Sequence, residues 1–374
     1  MKSLPQMGDA SRLQQKRPFS ANQWALIALV FLLGSPHLGF GILFYSTSDP
    51  SHNTTPPAGT LTNSGWQFEG LWGAFLGTPI APKYFITAAH VGGAVGDIFH
   101  FSGADYPTTG MFRDPSSDLI IWSVCGTFSN YAALYPNGDE AGKAITVFGR
   151  GTQRGEEVTI AENSTNSLKG WQWGVADQRE RWGTNVVSEI VSDNTLGDFL
   201  KCSFDADGGT EEAHLSVGDS GGGVFICDGG TWKLGGLNYA VDGPFNTSAN
   251  GPGFNAAIFD ERGLYIGGEG NWMLIPNFPT NVPSAFYSSR ISSRLEWINS
   301  VLDDTPPSDP PPQLVSASNV LGPYLDTPAV VDTNAKTVTL PEPASTHFYR
   351  LLACEPSQIT GISRSAGMLI INYQ

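Results

Sequence analysis

Between residues 42 and 290 the chain alternates short apolar runs with turn-forming clusters. Tyr84, Phe85, Ile86 and Thr87 make one such run, residues 119–122 a second and residues 144–148 a third, each bounded by Gly, Asn, Asp or Pro. Runs of this length and spacing predict an all-β sandwich or barrel. The period changes near the end of this region. Ile291, Leu295, Ile298 and Leu302 recur at steps of four, three and four, which sets them on one face of an amphipathic helix predicted over residues 289–302. Residues 303–312 hold five prolines and three aspartates, a composition that stays extended and solvated and reads as a linker. Residues 313–374 are then expected to form a small β-rich module, with strands over 336–340 and 368–373. The alternative is that this tail decorates an edge of the main body.

The first 41 residues have the order of an export signal. Lys2, Arg12, Lys16 and Arg17 outweigh Asp9 ahead of a ten-residue apolar run, residues 24–33. That run is about half of the roughly 20 residues a membrane-crossing helix requires. Gly39 and Gly41 meet the small-residue rule for signal cleavage, which would make Ile42 the first mature residue. An uncleaved signal-anchor, helped by the long polar lead, is the alternative. Both readings put residues 42–302 outside the cytoplasm, whether secreted, periplasmic or at the cell surface, with the membrane touched only through a retained N-terminal segment.

Composition narrows the chemistry. Acidic residues number 35 against 20 basic ones, a net charge of −15, and this is the wrong sign for a protein that neutralises nucleic-acid phosphates. Only 15% of residues are charged, while Gly and Pro number 44 and 26, which favours turns over long helices. The four cysteines, Cys125, Cys202, Cys227 and Cys354, are too scattered for a disulfide framework and form no CxxC pair. There is no HExxH, GxGxxG or GxxxxGKS string, so neither a metal nor a nucleotide cofactor is expected.

The strongest local signal is Gly218-Asp219-Ser220-Gly221-Gly222. A serine in a tight Gly-flanked turn can present its hydroxyl on one side while the N–H groups of Gly218 and Ser220 converge on a single point, which then binds an oxyanion. A serine hydroxyl is a weak nucleophile unless a base takes its proton. His90 is the candidate base, because residues 86–89 carry an apolar strand into two small residues just before it. The other histidines, His37, His52, His100, His214 and His347, lie in the leader, in loops or in the tail. A carboxylate must fix the imidazole tautomer. Asp118 is chosen since it opens the apolar run 119–124, where a buried strand begins, whereas Asp97, Asp105 and Asp114 lie in Gly- or Pro-rich loops where carboxylates are expected to be solvated.

The order His, Asp, Ser, carried by TAAH, an aspartate before apolar residues, and GDSGG, resembles the trypsin and chymotrypsin family of serine proteases, whose triad is a standard template. The resemblance covers residues 42–302. It implies two six-stranded antiparallel barrels, about 42–140 and 141–290, closed by a C-terminal helix, with the site in the cleft between them. It assigns His90 as general base, Asp118 as its orienter, Ser220 as nucleophile, and Gly218 and Ser220 as oxyanion donors. Leu237 to Val241 loosely matches the family's substrate-binding strand, which adds Asn238, Tyr239 and Ala240 as substrate-binding candidates. His214 stands where members that cleave after Arg or Lys carry Asp, so it joins the pocket candidates and implies an apolar or small P1 side chain. A free amine at Ile42 could pair with Asp219 as in the family. Val91 and Ser216 replace cysteines common in animal members, leaving Cys202 and Cys227 as the plausible bridge in the second barrel, with free thiols as the alternative. The tail looks like the small C-terminal β modules of large bacterial secreted proteins.

The function expected from this is an exported, monomeric serine endopeptidase acting on proteins or peptides without a cofactor. A catalytically inactive binding protein on the same scaffold is the main alternative, although an intact set of His90, Asp118 and Ser220 argues against it. A lipase-like esterase requires the order Ser, Asp, His, and His90 precedes Ser220.

Overall fold

The computed structural model describes residues 41–162, 165–304, 309–354 and 357–374. The export signal expected over residues 1–41 therefore lies, apart from Gly41, outside the described residues, as do four residues of the expected linker. Among the described residues no helix is long and apolar enough to cross a membrane.

Six strands form a first closed barrel: β1 (Gly70–Trp72), β2 (Phe75–Ala81), β3 (Tyr84–Ala88), β4 (Ile98–Phe101), β5 (Ala104–Arg113) and β6 (Leu119–Val124), in the order β1-β2-β3-β6-β5-β4. A second closes from β7 (Ala144–Gly149), β8 (Arg181–Asp193), β9 (Gly197–Ser203), β10 (Gly223–Asp228), β11 (Thr231–Val241) and β12 (Ala285–Arg290), in the order β8-β9-β12-β11-β10-β7. All neighbours pair antiparallel. This is the all-β, two-barrel architecture expected from the sequence, and it fits a chymotrypsin-like fold. The apolar runs read from the sequence are β3, β6 and β7. β3 and β6 are buried along their whole length, which explains why they read as continuous apolar runs instead of alternating ones.

Helix α1 (Leu295–Asp303) packs Ile298 and Val301 into the core. It starts later than the periodicity predicts. Ser289 and Arg290 belong to β12, where Ser289 pairs with Phe199 and Leu237, so the barrel's hydrogen bonds claim residues that the helical pattern also fits. Arg294, just before α1, reaches back to the first barrel and grips Asp114 through Nε and Nη2, each at 2.6 Å. Asp114 was expected to be a solvated loop carboxylate. It is instead 1% exposed; burial opposes its charge, yet the bonds from Arg294 and Ser117 hold its carboxyl below the usual range.

Residues 150–180 carry a long hairpin, Thr152–Glu162 and Thr165–Ala176, and the hairpin pairs with Ala256–Ile258 from the segment between β11 and β12. It has its own core around Val158, Phe245, Ile258 and Leu264. The tail is also a β unit. Strands Thr337–Pro341 and Met368–Tyr373 pair with each other, and Val338, Leu340, Leu369 and Ile371 make its core.

The cysteines do not pair as expected. Cys202 and Cys227 are free: Cys202 faces the interior of the second barrel and Cys227 is exposed on β10, so the barrel wall separates their sulfurs. The bridge joins Cys125, just after β6, to Cys354 in the tail, across 229 residues with Cα atoms 4.6 Å apart. Lys83 also pairs with Asp309 at 2.7 Å. A bridge that closes so long a loop typically contributes on the order of 2–5 kcal/mol. With a protease site inserted between Asp304 and Asp309, cleavage should leave one band on a non-reducing gel and two on a reducing gel. Release of the tail fragment without reductant would rule out the Cys125–Cys354 bond.

Candidate active site

The site grows from the ends of two buried strands in the first barrel. Ala88 on β3 pairs with Leu119 on β6, so the residue that follows one strand meets the residue that precedes the other. His90 sits in a single 3-10 turn, Ala89–Val91, at the end of β3. Asp118 stands at the start of β6. The backbone locks the two together: Ala89 N–H donates to the Asp118 carbonyl at 2.8 Å and His90 N–H to Asp118 Oδ1 at 3.0 Å. The other carboxylate oxygen, Oδ2, lies 2.5 Å from His90 Nδ1. Asp118 is 3% exposed, so its charge is shielded from water and directed at the ring.

The second barrel supplies the partner on the far side of the ring. Ser220 Oγ lies 2.8 Å from His90 Nε2. The turn that carries it is built from two short backbone bonds, Asp219 N–H to the Ser216 carbonyl and Gly222 N–H to the Asp219 carbonyl, each at 3.2 Å. Gly218 and Gly221 have φ of +96° and +76°, the left-handed region that favours glycine. Gly221 also lies close against the first barrel, since a Cβ there would stand 2.2 Å from Thr87 Oγ1 and 2.5 Å from the Leu76 carbonyl. Among the described residues the N–H groups of Gly218 and Ser220 donate to no protein acceptor. Two unused donors beside a hydroxyl are what an oxyanion site requires.

Around this line the candidate pocket residues divide. Tyr239 flanks His90 edge-on, with ring centroids 5.6 Å apart, and stacks on Phe199; burial and the neighbouring Asp118 and Asp193 push its phenol up to about 12. Ala240 is half-buried beside it. Asn238 is not available to a ligand: its amide nitrogen donates to the Phe148 and Asp219 carbonyls at 2.7 and 3.1 Å, and its backbone bonds Gly221 and Gly222. It braces the turn that carries Ser220. His214 is likewise enclosed, contrary to its expected place in the pocket. It is 0% exposed, its Nδ1 lies 2.8 Å from the Leu215 carbonyl, and it packs against Phe204 and Phe286. Burial pushes its imidazole down to about 4, so it is neutral at pH 7.

Asp219 points away from the cleft. Its carboxylate accepts from Gly151 N–H at 2.6 Å, Ser216 N–H at 2.7 Å and Ser216 Oγ at 3.1 Å. Ser216 Oγ also lies 3.0 Å from the Gly41 carbonyl. Leu43, two residues on, pairs with His214, so the chain entering the body lies against the loop that carries Ser220. Among the described residues no cluster of His, Cys, Asp and Glu could hold a metal ion. No protein-family model matches the chain, and no curated protein matches it significantly.

Three buried acids give the fold a pH dependence. Burial pushes Asp219 and Glu180 up to about 7 and Glu212 up to about 8. Between the ordinary carboxylate range and these values the native state holds protons that the unfolded chain has released, so unfolding free energy falls as pH rises. His214 acts in the opposite sense, but only between about 4 and its unfolded value near 6.5. Above 6.5 the acids decide. The urea midpoint should be lower at pH 8.5 than at pH 6.5, and an equal or higher midpoint would contradict burial of these carboxyls.

Proposed function

We propose that the protein is an exported serine endopeptidase that cleaves proteins or peptides by acyl transfer. The observation that carries this reading is the unbroken line from Asp118 through His90 to Ser220, with heavy atoms 2.5 and 2.8 Å apart. Such a line does chemistry in one direction. Ser220 Oγ attacks a carbonyl carbon as His90 Nε2 takes its proton. Asp118 accepts from Nδ1, keeps the ring in the tautomer that can receive at Nε2, and stabilises the imidazolium. The carbonyl oxygen becomes an oxyanion and is met by the Gly218 and Ser220 N–H groups. His90 then returns its proton to the leaving nitrogen, the C–N bond breaks, and water repeats the sequence on the acyl ester. His214, not an acid, stands where members of the resembled family that cleave after Arg or Lys carry Asp. We therefore assign a small or apolar P1 residue.

Export by cleavage after Gly41 also fits the site. It would free the amine of Ile42, a residue 2% exposed, next to the Ser216 and Asp219 side chains. Protein recovered outside the cytoplasm should begin at Ile42 on N-terminal sequencing, and recovery only as an intact membrane-bound Met1 form would refute the cleavage.

The decisive experiment is labelling by an organophosphonate that reacts with activated serines. Wild type should be labelled at Ser220, and Ser220→Ala should lose both labelling and peptidase activity. His90→Ala should lose nearly as much, because triad members act as a unit. Asp118→Asn should fold normally and cost on the order of 10⁴ in kcat. Equal labelling of wild type and His90→Ala would mean that the serine is not activated, and a binding protein on this scaffold would be the better reading.

A further inference from the structure

The two halves of the relay belong to different barrels, and a 2.8 Å contact between them requires that the barrels be held in register close to Ser220. Glu69 lies at that joint. It immediately precedes β1 and is 8% exposed. A single carboxyl oxygen, Oε1, accepts two hydrogen bonds: from Thr78 Oγ1 on β2 and from Gly223 N–H at the head of β10, both at 3.2 Å. Thr78 pairs with Ile86 on β3, the strand that ends in the turn holding His90. Gly223 follows Ser220 by three residues. One atom thus bonds both carriers of the relay.

The joint is closely fitted. A Cβ on Gly223 would stand 2.5 Å from Glu69 Oε1, so only glycine admits the carboxyl there. Phe68 stacks on Phe225 alongside, bringing the same two segments together by apolar contact. In these surroundings a charge is disfavoured, and burial together with the neighbouring Glu180 pushes Glu69 well above the usual carboxylate range. Its other oxygen, Oε2, has no partner among the described residues. An apolar residue would fill this space without the cost of burying a carboxyl, so what the acid adds is the pair of bonds. Without them the Thr78 hydroxyl and the Gly223 N–H would be buried unpaired, which opens a route to local separation of the barrels.

We propose that Glu69 is a positioning residue, which holds the His90-bearing barrel and the Ser220 turn at bonding distance by accepting from Thr78 and Gly223 at once. The kinetic consequence rests on the peptidase reading given above, while the geometric consequence does not. Glu69→Gln keeps an acceptor oxygen of the same reach. Glu69→Leu keeps the volume and removes the acceptor. Thr78→Val removes one donor from the same joint with little change in shape.

The test measures kcat, KM, melting temperature and crystal structures for the three variants. Glu69→Gln is expected to stay within about threefold of wild type in kcat and to keep the His90 to Ser220 hydrogen bond. Glu69→Leu is expected to lose about 10- to 100-fold in kcat at a temperature well below its melting point, with KM within about twofold, because a displacement near 1 Å costs on that order. Its crystal structure should show Nε2 and Oγ beyond hydrogen-bond reach. Thr78→Val should lose less, and its effect should largely vanish when Glu69 is already Leu. The proposal is overturned if Glu69→Leu, or Thr78→Val where the first variant does not fold, melts earlier yet keeps wild-type kcat and an intact Nε2 to Oγ contact. It is overturned equally if Gln fails to rescue. Should the wild type prove unreactive at Ser220, the peptidase reading falls, and the crystallographic distances still decide the role of Glu69.

Discussion

The distance at which two barrels can approach is the constraint on which the site depends. Gly221 lies against Thr87 and the Leu76 carbonyl so closely that no side chain could intervene. Thr87 in turn donates to Leu76 at 2.7 Å, so the surface it meets is fixed by β2 and β3 together. Packing at this point sets the Gly221 backbone against the Thr87 hydroxyl and the Leu76 carbonyl, and its reward is geometric: it brings a hydroxyl on one barrel within 2.8 Å of an imidazole on the other. Interiors are close-packed solids in this respect, and a methyl group's worth of displacement would be felt across the joint.

The scarce cations of this acidic chain are spent on placing loops. Arg290 grips Glu140 with bonds of 3.0 and 2.7 Å, and Glu140 is 0% exposed in the connection between the barrels. Lys169, 1% exposed, bridges Asp260 and Glu162 in the long hairpin. Arg181 is held by Asp177 and by the Pro50 carbonyl near the entry of the chain into the body. Buried pairs of this kind contribute little net stability, because desolvation offsets attraction, but a broken one leaves an uncompensated charge. They therefore select one arrangement of the loops over its neighbours.

Much of this was legible in the chain. β3 and β6 announce themselves because both faces are buried, and His90 and Asp118 are conspicuous because each sits at the mouth of such a strand. Gly218 to Gly222 is legible because its backbone excludes other residues. What escaped is whatever depends on direction and not on type. His214 and Asn238 stand at the expected distances from Ser220, but their side chains turn inward, to Ser284, Phe148 and Asp219. Cys202 and Cys227 flank Ser220 in sequence and face opposite sides of a wall. Cys125 and Cys354 lie 229 residues apart, and no local pattern foretells their contact. The start of α1 was blurred because serines suit a barrel strand and a helix entry equally. Glu69 gave one signal that could have been read, an acid set directly against the apolar beginning of a strand.

The bond between Arg294 and Asp114 bears on how the molecule comes into being. Asp114 anchors a turn in which Ser117 Oγ bonds its carboxylate at 2.6 Å and Leu119 N–H bonds Ser117 Oγ at 3.3 Å, and Asp118 is the residue between them. A chain is made from its N-terminus and its domains fold in that order. The strands of the first barrel are thus all made before the guanidinium that clamps its carboxylate turn, which follows 180 residues later. His90 and Ser220 are both synthesised before the turn behind them is secured. The last segment of the body to emerge is the one that finishes the first site to be laid down, so an incomplete chain carries all three relay residues without the support that aligns them.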